Sequence, residues 1–397
     1  MNCDEYAVPG FLANGISAGI KEQGRKDLAL IFSEVPARAA GVFTTNCFKA
    51  APVLVDMERM SAGAAQAIVT NSGNANAATG ERGYRDALAM SRAASKELKI
   101  SEDLVLVAST GVIGHSLPLE IIERGMEPLV AGLRRDGIPD AEAAMMTTDR
   151  FPKMSCRKGL IGSREVTLCG IAKGAGMIQP NMATMLAYLM TDADIDGEAL
   201  HAVFSEGIAQ SFNAITVDGC MSTNDTALIL ANGRAGNRQI RRRSREYAPF
   251  REMLSTVLDD LCRGMVRDGE GATKLIELVV DGARTRGEAR RVAYAVANSN
   301  LVKTAFYGGD PNWGRIISAA GSIGIPLPTQ SVRLFFEEVC LFEAGQGTAF
   351  PTDRVAAIMA QETIRVRLEL GMGTGSFRIY ASDLSFEYVK INAHYHT

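Results

Sequence analysis

The 397-residue chain contains few of the residues on which common active sites depend. Its four histidines are His115, His201, His394 and His396, too few to favour a histidine-based metal centre or to offer many bases for a Ser-His-Asp triad. The seven cysteines are odd in number and form no C-x-x-C pair. This pattern predicts reduced thiols and argues against a zinc site or a disulfide framework.

The chain also has no excess of positive charge and no long apolar segment. Its net charge is -3, and its densest basic run, "RQIRRRSR" at residues 238–245, is typical of a solvated surface. No apolar run approaches the roughly 20 residues that span a bilayer, and the N-terminus does not resemble a signal peptide. We therefore expect a cytoplasmic protein with neither a nucleic acid nor a membrane as its partner.

What the sequence does contain is an alternation of strand and helix patterns, in a chain long enough for two domains or lobes. Strand patterns occur at residues 28–33, 39–45, 65–71, 103–109, 226–233 and 273–283, and helix patterns at 83–98, 118–134, 196–212 and 250–266. Near the end, three segments alternate apolar and polar residues, which predicts antiparallel strands with one buried face. The prediction is a layered α/β sandwich with a C-terminal α+β lobe.

A threonine at the start of an apolar run is the first candidate for chemistry. Thr184 follows the Gly- and Pro-containing segment "KGAGMIQPNMA" and precedes "TMLAYLMTD", which reads as a buried strand. If the Ala183–Thr184 bond were cut, the new α-amine, with a pKa of about 7.7–8.0, would supply a base beside the hydroxyl nucleophile. From the spacing alone, a purely structural threonine remains the more ordinary interpretation.

Several motifs resemble one family in the same order along the chain. The segment "KGAGMIQPNMATMLAYLMTDA" is similar to the self-cleavage region of the ornithine acetyltransferases, the glutamate N-acetyltransferase family of arginine biosynthesis. Further blocks that resemble this family are "GFLANGISAGIK", "KDLALIFSEVPARAAGVFTTN", "NSGNANAATG", "STGVIG", "SFNAITVDGCMSTNDT", "GEGATKLIEL", "DPNWGRI" and "DLSFEYVKINAHYHT". They extend from about residue 10 to the last residue.

The resemblance implies a self-processing enzyme with an N-terminal threonine nucleophile. Thr184 would be the nucleophile, and cleavage between Ala183 and Thr184 would leave residues 1–183 and 184–397 as two chains that share one core. The implied fold is the one that ornithine acetyltransferases share with the self-processing aminopeptidase DmpA. The resemblance further implies an α2β2 heterotetramer made of two such pairs.

The resemblance also assigns roles to residues outside the cleavage segment. Thr110 and Gly111 match the oxyanion-hole pair, although a Thr-Gly turn alone is usually structural. The positions that match substrate contacts are Thr147, Lys173, Thr184, Glu270, Asn392 and Thr397. Thr148, next to Thr147, leaves that assignment open by spacing alone, and a lysine such as Lys173 is by itself more often solvated.

The implied reaction transfers an acetyl group from N-acetylornithine to glutamate through a covalent intermediate, without a metal or an organic cofactor. Acetyl-CoA is an additional donor in some members of the family, and no residue settles whether it is used here. Two alternatives stay open. A related self-processing aminopeptidase or amidase would use water as the acceptor, and a non-enzymatic protein would bind an anion with its glycine-rich loops.

Overall fold

The structure of the protein is a computed structural model that describes residues 3–179 and 185–394. The chain forms two compact units. The first contains the described residues of Met1–Asn213 and Met221–Met265, and the second those of Ala214–Cys220 and Val266–Tyr395. The expectation of two compact units from the chain length is met.

The strands and helices follow one another in the order that the sequence patterns indicate. The strands are β1 (Phe11–Ile16), β2 (Leu28–Phe43), β3 (Ala64–Asn74), β4 (Val105–Val112), β5 (Lys153–Ile161), β6 (Arg164–Lys173), β7 (Leu186–Thr191), β8 (Ile215–Thr216), β9 (Thr226–Ala231), β10 (Leu275–Ala283), β11 (Arg333–Phe336), β12 (Val339–Glu343), β13 (Gln346–Gly347), β14 (Thr363–Glu369) and β15 (Gly375–Ser382). The helices are α1 (Ala51–Arg59), α2 (Gly80–Leu98), α3 (Leu119–Ala131), α4 (Ile138–Met145), α5 (Gly197–Gln210), α6 (Tyr247–Arg267), α7 (Arg286–Ala297), α8 (Asn300–Tyr307), α9 (Trp313–Gly321), α10 (Thr352–Met359) and α11 (Phe386–His394).

The first unit is built on a mixed sheet with the strand order β4-β3-β2-β9-β7-β6-β5, and β1 pairs with β2. Alternate residues of β2 face opposite sides of this sheet, as the period of a strand requires. Leu28 and Leu30 pack with residues of α1, α2 and α3, whereas Ala29 and Ile31 pack with residues of α4. Helices therefore cover both faces, and the predicted layered α/β architecture is confirmed.

The sequence predicted two strands where the structure has one. β2 runs unbroken through 16 residues, although its pairing with β3 shifts in register between Phe32 and Ala37. Pro36 lies inside this shifted segment, and proline is tolerated at such an irregularity because it has no N–H to donate to the ladder. The prediction of an interruption was wrong because the chain bulges there and continues.

The helix predicted over residues 118–134 is shorter than its pattern suggested. It begins at Leu119 and ends at Ala131, and Pro118 occupies the capping position before the first turn instead of the first helical position. The start of α5 agrees with the prediction. The Asp196 carboxylate accepts hydrogen bonds from the N–H groups of Glu198 and Ala199 at 3.1 and 3.3 Å.

The sheet of the first unit combines strands from both sides of the predicted cleavage position. β7, which follows this position, pairs antiparallel with β6 and parallel with β9, and all six of its residues are buried. β9 in turn pairs with β2, from the N-terminal part of the chain. The buried strand predicted after Thr184 is thus confirmed from Leu186 onward, while the cleavage itself stays a prediction.

The second unit has its own sheet, with the strand order β13-β12-β11-β14-β10-β15-β8. β11 and β12 form an antiparallel hairpin, and β14 pairs antiparallel with β11 but parallel with β10. The alternating C-terminal segments are therefore strands, as predicted, although one of their pairings is parallel. Residues of α7, α8, α9 and α10 complete the core of this unit. Among the described residues, none of the helices has the length and apolar character that a bilayer crossing needs.

Candidate active site

The predicted oxyanion pair lies at the end of β4, where β3 and β4 run side by side. Gly111 is opposite Gly73 in this parallel ladder, and the register shifts immediately afterwards. Gly111 has φ 133°, and a Cβ built on it would lie 2.4 Å from the carbonyl carbon of Gly73. A side chain would therefore clash with backbone, so this close approach requires glycine.

Thr110, the other member of the pair, is held by a buried lysine. Lys173 is the last residue of β6 and is only 2% exposed. Its Nζ donates a hydrogen bond to Thr110 Oγ1 at 2.8 Å. Since a hydroxyl both accepts and donates, Thr110 keeps its own proton for a second acceptor. An oxygen that gains negative charge could be that acceptor.

Asp149 holds Thr147, the remaining predicted residue that the structure describes in this unit. Its Oδ1 accepts a hydrogen bond from the N–H of Gly174 at 2.7 Å and forms an ion pair with Lys153. Its Oδ2 accepts hydrogen bonds from the N–H and the hydroxyl of Thr147, at 2.8 and 3.5 Å. Thr147, and not its neighbour Thr148, is thus the threonine fixed by this carboxylate.

The Asp149 carboxylate is stabilised in its charged form. Burial alone would raise its pKa, but the positive charges of Lys173 and Lys153 outweigh burial and hold the pKa well below its usual range. The side chains of Asp149 and Lys153 are almost completely buried. Removing one partner of such a buried pair leaves an uncompensated charge, which typically costs about 3–5 kcal/mol.

A second lysine, Lys21, approaches the same strand ends. The Asp27 carboxylate accepts hydrogen bonds from four successive N–H groups, those of residues 18–21, and so fixes the turn that carries Lys21. Lys21 Nζ donates to the carbonyl oxygen of Met146 at 2.5 Å and to that of Lys26 at 2.9 Å. Lys21 thereby connects the turn to the residue that precedes Thr147.

The pH dependence of stability should show that the pKa of Lys21 is lowered. Burial lowers its pKa to about 8, and the positive charges of Arg25 and Lys173 add to the effect. Between this value and the ordinary 10.5, the unfolded state binds more protons, so the free energy of unfolding should rise with pH. Relative to Lys21→Met, the wild type should gain on the order of 1 kcal/mol over this window, after allowance for partial solvent exposure.

Urea unfolding of both proteins at a series of pH values across this window measures the difference. The Lys21→Met variant keeps the apolar stem of the side chain but cannot titrate. Parallel stability curves for the two proteins would show that Lys21 carries its ordinary pKa.

The asparagine-rich loop "NSGNANAATG" has a scaffold role in this structure. Asn71 Nδ2 donates to the carbonyl of Asn74, and Asn71 Oδ1 accepts from the Ser109 hydroxyl at 2.6 Å. Asn76 Nδ2 donates to the carbonyl of Gly83 at 2.8 Å. These side chains are engaged with neighbouring protein groups, so they brace the strand end that carries Thr110.

The second unit brings together two other predicted substrate residues. Asn392 Nδ2, on α11, donates a hydrogen bond to Glu270 Oε2 at 2.8 Å. Glu270 lies between two glycines, and Gly271 has φ 68°. A Cβ on Gly271 would lie 2.5 Å from the backbone nitrogen of Tyr388, so glycine permits the loop to approach α11 closely.

The predicted site residues therefore fall into three sets. Thr110, Gly111, Thr147 and Lys173 lie in the first unit, where Thr147 and Lys173 both approach Asp149, while Glu270 and Asn392 form a pair in the second. Ala183, Thr184 and Thr397 lie outside the described residues, so their assignments stay predictions.

Sequence reasoning missed Asp149 and Lys21, although Lys21 is the last residue of the block "GFLANGISAGIK" and Asp149 lies two residues after Thr147. Within the described ranges, no three His, Cys, Asp or Glu side chains are grouped as a metal site would require.

Comparisons with known proteins agree over almost the whole chain. A sequence profile of the ArgJ family matches residues 12–397. The arginine biosynthesis bifunctional protein ArgJ of Geobacter sulfurreducens is 50% identical over 391 residues, which cover 98% of this chain and 100% of that protein. The protein of the same name from Syntrophotalea carbinolica is also 50% identical, with 98% and 99% covered.

A solved structure is similar as well. The crystal structure of the arginine biosynthesis bifunctional protein argJ from Bacillus halodurans has 37% sequence identity and a TM-score of 0.50. The match covers 51% of this chain and 96% of that chain.

Proposed function

This chain belongs to the ArgJ family, and we propose that it transfers an acetyl group from N-acetylornithine to glutamate in arginine biosynthesis. The observation that carries the proposal is the hydrogen bond from the buried Lys173 to Thr110, beside a glycine that cannot be replaced without a clash. A threonine hydroxyl that a lysine holds in place beside a glycine N–H offers two fixed donors, as an oxyanion hole requires.

In the proposed mechanism, the α-amine of Thr184 removes the proton from the Thr184 hydroxyl, which attacks the acetyl carbonyl. The Thr110 hydroxyl and the Gly111 N–H donate to the oxygen that becomes negatively charged, and each such donor contributes roughly 3–4 kcal/mol. The intermediate collapses to an acetyl ester, and ornithine leaves with the proton held by the amine. The glutamate amine then attacks the ester and restores the free threonine.

The roles of the lysine and of its neighbours follow from their contacts. Lys173 holds Thr110 Oγ1, so it orients the hydroxyl and increases its tendency to donate to an oxyanion. Asp149 fixes Thr147 by two contacts and lies beside Lys173. Thr147 and Lys173 are thereby prepared to contact substrate.

A comparison of acceptors tests the reaction. Purified protein is incubated with N-acetylornithine alone, or with glutamate added, and free ornithine and N-acetylglutamate are measured. The proposal expects ping-pong kinetics, with about one ornithine released per active site without glutamate and continued release of ornithine, together with N-acetylglutamate, only when glutamate is present. Rapid release of ornithine and acetate without glutamate would instead favour the aminopeptidase or amidase alternative.

Shortening the C-terminus should weaken substrate binding. We propose that Glu270 and Asn392, which are hydrogen-bonded to each other, act with Thr397 on the polar groups of the substrate. Deleting residues 395–397 is expected to raise the KM for N-acetylornithine about tenfold, the effect of losing roughly 1.4 kcal/mol of binding, with kcat little changed. Initial rates over a range of substrate concentrations provide the measurement, and an unchanged KM would remove Thr397 from the site.

We further propose that acetyl-CoA serves as a second acetyl donor, that no metal or organic cofactor takes part, and that the protein is cytoplasmic. The similar relatives named above are described as bifunctional. The same assay with acetyl-CoA and glutamate, after treatment with a chelator, tests the first two points. We also propose an α2β2 assembly of the cleaved chains, which light scattering of the purified protein would measure.

A further inference from the structure

Two consecutive residues of the motif "STNDT", residues 222–226, hold two different strand ends. Asn224 is buried, and its Nδ2 donates to the carbonyl oxygens of Ala75 and Ser109 at 2.6 and 2.8 Å. Ser109 immediately precedes Thr110 on β4. The amide of Asn224 therefore fixes the peptide group through which Thr110 is attached.

The next residue, Asp225, acts on the start of β7. Its Oδ1 accepts a hydrogen bond from the N–H of Met185 at 3.0 Å, and the N–H of Thr226 donates to the carbonyl of Met185 at 3.1 Å. Both backbone polar groups of Met185 are thus occupied by this short segment. Asp225 is fully buried and close enough to Lys173 for their charges to interact.

We infer that Asn224 and Asp225 are positioning residues for the proposed acyl transfer. They set the end of β4, which carries Thr110, and the start of β7 relative to each other. The inference rests on the proposed function, in which residue 184 is the nucleophile. Met185 directly follows residue 184 in the sequence, so its two backbone hydrogen bonds fix the start of the segment that the proposed nucleophile precedes. The same short segment then positions both the proposed oxyanion hole and the strand that follows the proposed nucleophile.

The cost of losing this control follows from the geometry of attack. Reacting atoms must lie about 3–3.5 Å apart with their orbitals aligned, and a displacement of about 1 Å can reduce the rate 100-fold. Asp225→Ala and Asn224→Ala are therefore each expected to reduce kcat by roughly 10- to 100-fold, with the KM for N-acetylornithine within about twofold. The double variant should lose much less than the product of the two effects, because the residues act as one unit.

The conservative variant Asp225→Asn distinguishes a positioning role of Asp225 from a role that needs its carboxyl group to ionise. Burial raises the pKa of the Asp225 carboxyl well above its usual range, against the hydrogen bond from Met185, and favours the uncharged form. Asp225→Asn keeps an oxygen acceptor of similar shape for Met185, so it should retain kcat within about threefold. A folded Asp225→Asn variant without activity would overturn the positioning role and indicate a proton transfer instead.

Two residues of the same unit supply matched controls. Asp192, at the other end of β7, is buried and accepts a hydrogen bond from the N–H of Thr167 at 2.7 Å. Asn237 is buried, and its Nδ2 donates to the carbonyl oxygens of Asp194 and Arg238 at 3.0 and 2.9 Å. Asp192→Ala and Asn237→Ala remove comparable contacts away from the candidate site.

The experiment compares all variants for thermal stability, for the fraction of chains that are split, and for kcat per split chain. Loss of kcat in Asp225→Ala and Asn224→Ala, but not in control variants of equal stability, supports the inference. Equal kcat in variants and controls overturns it. If Asp225→Ala does not fold, Asp225→Ser replaces it, since the shorter side chain also leaves Met185 without its acceptor.

The design keeps the two hypotheses apart. If the wild type is intact and transfers no acetyl group, the proposed function fails whatever the variants do. If the wild type is split and active while the variants match their controls, only the positioning role fails.

Discussion

Thr184→Ala should yield one intact chain of 42.5 kDa that transfers no acetyl group, whereas the wild type should separate into two fragments under denaturing conditions. Alanine has no hydroxyl to attack the Ala183 carbonyl, so neither the cut nor the acyl intermediate can form. Loss of a nucleophile typically reduces kcat by roughly 10⁵-fold or more. Denaturing mass spectrometry and the glutamate-dependent assay measure the two effects.

Thr191→Ala is the matched control for this variant. Thr191 is a buried threonine at the far end of β7, and its hydroxyl donates to the carbonyl of Thr167 at 2.8 Å. Its loss should cost about 1 kcal/mol of stability but leave the cut and the activity in place. An active, split Thr184→Ala protein would eliminate the proposed nucleophile, and an inactive Thr191→Ala protein would show that any disturbance of β7 suffices.

Lys173→Met should produce the second large effect. It removes the donor to Thr110 Oγ1 and a positive charge beside Asp149. The oxyanion hole then loses its fixed geometry, so kcat/KM should fall by about 10²- to 10³-fold. The free energy of unfolding should also fall, because a buried carboxylate loses part of its compensation. Steady-state kinetics and urea unfolding provide the two measurements.

The Lys153→Met variant distinguishes the loss of activity expected from the missing bond to Thr110 from the loss of stability expected from the missing charge beside Asp149. Lys153 is as buried as Lys173 and forms an ion pair with Asp149, whereas the hydrogen bond to Thr110 Oγ1 at 2.8 Å comes from Lys173. The Lys153→Met variant should therefore lose a similar amount of stability, about 3–5 kcal/mol, while the folded protein keeps most of its activity. Equal losses of kcat/KM in both variants would mean that Asp149, and not the bond to Thr110, carries the effect.

The sequence predicted those parts of the fold in which periodicity is strong. The strand pattern at residues 273–283 matches β10, and the helix pattern at 196–212 matches α5. The continuity of β2 through Pro36 could not be predicted, because proline ends some strands and causes only a bulge in others, depending on the partner strand. The parallel pairing of β14 with β10 likewise depends on contacts between distant segments.

The candidate site was predictable mainly through family resemblance. Thr110 and Lys173 were named from motifs, but no spacing rule predicts that a lysine 63 positions away donates to that hydroxyl. The connecting role of Asp149 was missed for the same reason, because its partners come from three different segments. A buried carboxylate with several donors becomes visible only when the chain is folded.

The sheet of the first unit has a consequence for how the enzyme can be made. β6 and β7 are antiparallel neighbours joined by 12 residues, 174–185, so in an intact chain they meet by closing a short loop. After a cut at residue 183, the same pairing would require two separate molecules to meet, without the high effective concentration that a tether provides. The cleaved enzyme should thus refold slowly from denaturant and more completely as protein concentration rises. Its lifetime would depend on the barrier to unfolding more than on equilibrium, because the route by which it was assembled no longer exists.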